Sequence, residues 1–97
     1  MKHNFENGTL TLYFEGKINS YNADDVEREV DELLQKNEAK DIRIDMADVE
    51  YISSAGLRII VRIKQQYDDT VLKRVPKGVY EIFEMVGFPN LIKIERK

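Results

Sequence analysis

The chain has 97 residues, 42% of them apolar, with a net charge of −3 and no cysteine. That length builds one domain with a modest core, and the missing thiols exclude a disulfide framework, a thiolate metal site and a cysteine nucleophile. Mild acidity with scattered Lys and Arg argues against a nucleic-acid surface.

In chain order, residues 1–8 are polar and end in the turn pair Asn7-Gly8, which predicts a frayed end or a short edge strand. Met1–Leu10 holds no apolar leader segment, and no run approaches the roughly 20 residues of a membrane span. A cytoplasmic domain without membrane contact is therefore expected. Leu10, Leu12 and Phe14 alternate with Thr9, Thr11, Tyr13 and Glu15, predicting a strand over 9–15 that Gly16 closes. Ser20–Asn22 supplies helix-starting residues, with Asp24 and Asp25 in the first turn where the helix dipole favours acid. Ala23, Val26, Val30, Leu33 and Leu34 then recur at helical spacing through about Lys36.

Asp41–Met46 reads as a central strand with Asp45 near its end, running into a turn that finishes at Tyr51–Leu57. A second helix, from about Ser54 to Tyr67, carries Leu57, Ile59, Ile60, Val61 and Ile63, with a narrow polar stripe at Arg58, Arg62, Gln65 and Gln66. Thr70–Val75 is a strand stopped by Pro76. Val79, Ile82, Phe83 and Val86 mark a third helix closed by Gly87, before a last strand over Leu91–Ile94. Strand alternating with helix predicts one α/β domain over residues 1–97. Its sheet is mixed but mostly parallel, of about four to five strands, covered by three to four helices. Ligands of such sheets gather beyond the carboxyl ends of the strands, where Gly16–Ser20 and Ser53-Ser54 both fall.

The chemistry open to these residues is narrow. A hydrolase elbow needs G-x-S-x-G, but Ile52-Ser53-Ser54-Ala55-Gly56 lacks the first glycine, and His3 is the lone histidine. No catalytic residue is assigned. There is no glycine-rich phosphate loop, and Asp45, Asp48 and Glu50 lack calcium-loop spacing, so neither cofactor nor metal is expected. Ser53 or Ser54 either caps the second helix or accepts a phosphate. No Glu or Gln completes a capping box, and Gly56 in the first turn suggests close approach to the backbone, by a ligand or by the sheet. A phosphate on Ser54 would add about −1.5 to −2 charge at a helix N-terminus, with Arg58 one turn on to pair with it.

At this stretch the sequence resembles the STAS domain family, shared by anti-sigma factor antagonists and sulphate transporter tails. The likeness rests on Gly16-Lys17-Ile18, on Ile42–Asp45, on Asp48–Arg58 and on Val79–Phe88 before the last strand. For the antagonist branch, the resemblance implies a non-enzymatic binding switch. The serine two residues before the helix glycine, here Ser54, is phosphorylated by a partner anti-sigma factor that is also an ATP-dependent serine kinase. The phosphorylated form lets go, and a serine phosphatase resets it. The implied partner face is Gly16, Asn19, Ser20 and Tyr21, with Ser53, Ser54, Ala55, Gly56 and Leu57, and the stripe Arg58, Arg62 and Gln65.

Two departures bear on this. Ser53 and Asn19 stand where the family often has acids, and Ser53 is thereby a rival acceptor. The alternative expectation is a STAS module that binds a protein or small ligand without phosphorylation.

Overall fold

The computed structural model describes residues 1–97. Its first element is a hairpin of β1 (Lys2–Glu6) and β2 (Thr9–Ile18). Asn7 and Gly8 both take positive φ, 52° and 84°, the two-residue turn whose twist matches paired strands. The N-terminus is thus not frayed but paired, from Glu6 opposite Thr9 to Lys2 opposite Tyr13.

Two sequence boundaries move. Gly16 does not end β2, which runs on to Ile18 with Gly16 at φ 71°. Glycine adopts that conformation without strain, so the ladder continues through an irregularity instead of stopping. Likewise β3 is not the short segment 41–46 followed by a turn; it spans Asp41–Ile52. Tyr13 pairs with Asp45 but Glu15 with Asp48, and Gly16 with Val49 but Lys17 with Tyr51. At each step β3 takes one residue more than β2, at Met46-Ala47 and at Glu50, so the strand passes through two bulges where the sequence resembled a turn.

The remaining elements are α1 (Ala23–Lys36), α2 (Ser54–Gln66), β4 (Thr70–Val75), α3 (Lys77–Met85) and β5 (Lys93–Arg96). Gly87, at φ 78°, ends α3 in the left-handed conformation and leads into a 3-10 turn, Phe88–Asn90. That turn displaces the last strand two residues beyond the expected 91–94. Leu91 stays exposed, whereas Ile92 enters the core.

The sheet order is β1-β2-β3-β4-β5, with β1 antiparallel and the other pairings parallel. Each βαβ crossover steps one strand in the same direction, and right-handed connections then put all three helices on one face. Burial agrees. Leu10, Leu12, Ile42, Ile44 and Leu72, in register across β2, β3 and β4, are fully buried with Ile60, Ile63 and Phe83 of the helices. On the other face Thr11, Tyr13, Arg43 and Lys73 are only half-buried.

Candidate functional site

β2 and β3 end side by side, and their last residues assemble the turn that the sequence singled out. The Ser53 backbone N–H donates to the Ile18 carbonyl at 2.8 Å, tying the start of α2 to the end of β2. From Ile18 the chain passes through Asn19–Asn22 into α1. Two asparagines brace that loop. Asn19 Oδ1 accepts from the N–H groups of Tyr21 and Asn22, while Asn22 Oδ1 accepts from the Asn19 N–H at 2.9 Å. Asn22 Nδ2 also donates to the Lys17 carbonyl. Asn19 therefore spends its side chain holding the loop's shape, and Ser20 and Tyr21 are what the loop presents. Tyr21 is 95% exposed.

Ser53 occupies the N-cap position of α2, with extended backbone, yet its hydroxyl makes no capping bond. Its Oγ is turned inward and finds no partner. Ser54, the first helical residue, is exposed. The two adjacent serines thus differ sharply in access. No acid stands in the first turn of α2, so the partial positive charge of that helix end is left uncompensated by its own side chains.

Gly56 is explained by packing. A Cβ there would lie 2.6 Å from Ile52 Cγ1 and 2.8 Å from Ile18 Cγ2, so the close approach is to the ends of the two strands. Gly56 and Leu57 are buried and Ala55 is half-buried, whereas Gly16, also half-buried, pairs with Val49 further back along β3. Arg58 is exposed and enters no ion pair. With Ala55 and Ile59 it faces Ala23, Asp24 and Glu27 of α1 across a shallow depression of about 290 Å³.

Arg62 differs from its place in the expected free stripe. Its Nε donates to Glu27 Oε2 at 2.8 Å and its Nη2 to Asp31 Oδ1 at 2.7 Å, clamping α2 to α1. Its pKa is raised, first by the hydrogen bond to Asp31, with partial burial opposing and Glu27 adding. Gln65, by contrast, is exposed.

Asp45, expected near the end of its strand, is not there, because β3 runs on to Ile52. Asp45 lies seven residues before the end of β3, about 20 Å back along the strand. There it accepts from Arg74 Nε at 2.7 Å and from the Ala47 N–H. Arg74 reaches it from a left-handed residue, φ 51°. Asp48, Glu50 and Asp45 form no group of three acids able to hold a metal. His3, opposite Leu12 in β1, stands far from Ser54, so no imidazole base serves either serine.

The comparisons with known proteins agree with this architecture. The family model of the STAS domain matches residues 2–97, and the chain belongs to the STAS domain family. Among relatives, a protein described as a candidate anti-sigma factor antagonist, BtrV of Bordetella bronchiseptica, is 32% identical over 90% of this chain and 78% of its own. The anti-sigma-B factor antagonist of Listeria monocytogenes is 29% identical over 89% of this chain and 78% of its own. The solved anti-sigma factor antagonist SpoIIAA, in its unphosphorylated form, superposes with a TM-score of 0.77 at 10% identity, covering 96% of this chain and 85% of that one. At that identity the likeness is one of fold. No helix here is long and apolar enough to cross a membrane.

Proposed function

We propose that this chain is an anti-sigma factor antagonist. In this reading it binds an anti-sigma factor with serine-kinase activity in the cytoplasm, and phosphorylation of Ser54 switches that binding off. A serine phosphatase restores the binding form, and the chain itself catalyses nothing. The names of the relatives support the antagonist role. The observation that carries the switch is the contrast between the serines. Ser54 is exposed and open to a partner, whereas the Ser53 oxygen is turned into the protein without a partner.

A phosphate on Ser54 sits at a helix N-terminus, where the backbone tolerates negative charge. The fold is kept while the binding face gains about −1.5 to −2 charge, with Arg58 one turn away to receive it. The partner face in this reading is Ser20, Tyr21, Ser54 and Arg58, framed by Gly16, Asn19, Ser53 and Ala55.

The test is phosphopeptide mass spectrometry on the protein from its own host in several growth states, paired with binding of Ser54→Asp and Ser54→Ala to the kinase. Growth-dependent phosphate on Ser54, with loss of binding by Ser54→Asp and its retention by Ser54→Ala, is the expected result. Full-strength binding by Ser54→Asp refutes the switch and leaves a module that binds without phosphorylation. A phosphate on Ser53 alone moves the acceptor by one residue.

A further inference from the structure

β1 is an unusual edge. All five of its residues are exposed, so it adds nothing to the core. It nevertheless pairs with β2 over five successive residues without a register shift. Edge strands are commonly blunted by proline, by a bulge, by a covering segment or by charge; β1 has none of the first three, and its charges, Lys2 and Glu6, are of opposite sign at its two ends. Residues 2–6 make no hydrogen bond outside their pairing with β2.

Its free groups can be identified. The two-residue turn makes Glu6 and Thr9 a hydrogen-bonded pair, and bonded and non-bonded pairs alternate along an antiparallel ladder. Glu6, Asn4 and Lys2 thus bond inward to β2. His3 and Phe5 turn their N–H and C=O groups outward, away from the sheet, and Phe5 as a whole residue is 39% exposed.

We propose that this edge pairs with the same edge of a second copy, antiparallel, about a two-fold axis at Asn4. His3 then lies opposite Phe5 of the partner subunit, and Phe5 opposite His3 of the partner subunit, which satisfies all the outward groups of both residues. The same register sets Lys2 opposite Glu6 of the partner subunit, twice by symmetry, and the two Asn4 amides opposite each other. Opposite charges facing across a strand pair are favourable and like charges are not. Axes at His3 or Phe5 leave one outward residue of each copy beyond the paired stretch and match no opposite charges. An axis at Asn4 is therefore the register that the sequence KHNFE complements. The contact is isologous and closes as a dimer, whereas β1 on the far edge, β5, would propagate into a filament.

Sedimentation velocity over a concentration series of the whole chain, up to millimolar, tests this, together with amide hydrogen exchange. A monomer–dimer equilibrium is expected, with exchange at His3 and Phe5 slowing as concentration rises. Exchange at Lys2, Asn4 and Glu6, bonded already, should change little. Lys2→Glu and Glu6→Lys should each weaken the dimer by about tenfold, because each sets two like-charge pairs face to face, and the double exchange should restore it. Phe5→Pro, which removes an N–H that β2 does not use, should abolish the dimer. A monomer at every concentration overturns the proposal, as does a dimer indifferent to the charge exchanges or a ladder of larger species. A monomer whose edge instead takes up a strand of another protein overturns it too.

Discussion

Cγ1 of Ile52, the last residue of β3, stands 2.6 Å from where a Gly56 side chain would begin. Alanine at Gly56 would gain up to about 1 kcal/mol of helix propensity. It would also press a branch carbon of Ile52 and one of Ile18 that lie close to their own backbones, and such overpacking costs about 1–3 kcal/mol. The clash prevails. Gly56→Ala should lower stability by about 1–2 kcal/mol, read from urea unfolding, and a more stable variant would show that α2 can slide off the strand ends.

Ser53→Ala separates a cap from a buried orphan. A working N-cap lost to alanine costs about 1 kcal/mol. A hydroxyl buried without a partner carries a desolvation cost of about 1–3 kcal/mol that alanine removes. Because Ser53 Oγ has no partner, the variant should melt at the same temperature as the parent or above it. A fall of several degrees would establish that the hydroxyl caps α2 in solution.

If Ser54 is the switch proposed above, Ser54→Asp should leave the fold intact while it ends binding to the proposed kinase. Aspartate at the first residue of α2 meets a helix end without acids, which is worth about 0.3–1 kcal/mol in its favour. Thermal unfolding should therefore show equal or slightly higher stability. Loss of binding accompanied by loss of stability would mean that the variant fails by unfolding and not by switching.

Glu95 predicts an acid-dependent contribution. Lys73 Nζ lies 2.6 Å from its carboxylate, and that hydrogen bond holds the Glu95 pKa below its ordinary value, partial burial opposing. A lowered folded-state pKa contributes stability above the unfolded value, and the contribution fades as pH falls through the folded one. The stability gap between the parent and Glu95→Gln should thus shrink on titration from about pH 6 to about pH 3, and shrink with added salt at neutral pH. A gap constant over that range would remove Glu95 as its source.

The elements with unbroken periodicity were legible. The alternation from Leu10 to Phe14 and the stripe from Ala23 to Leu34 led directly to β2 and α1. What the sequence concealed lies where periodicity is interrupted without the element ending. Gly16 resembles a stop because glycine so often is one, yet here its positive φ carries β2 onward. Asp48 and Glu50 resemble turn residues, and two bulges keep them in β3. The last strand, expected over 91–94, takes in the charged Glu95 and Arg96, which an edge strand accepts.

At the site, the serine turn was found from local pattern alone. The Arg62 clamp was not, since Glu27 and Asp31 lie a whole βα unit away in sequence. The difference between Ser53 and Ser54 depends on which hydroxyl the strand end turns inward, and composition carries no trace of that.

The exposure of Tyr21 gives the protein an optical handle. The chain contains no tryptophan and five tyrosines, of which Tyr21 stands almost wholly in water. Its emission should be open to a soluble quencher such as iodide, and a partner seated on this end of the sheet would shield it. Comparison with Tyr21→Phe isolates that one ring's signal. Occupancy of the face can then be followed in solution without attaching a dye to a surface this small.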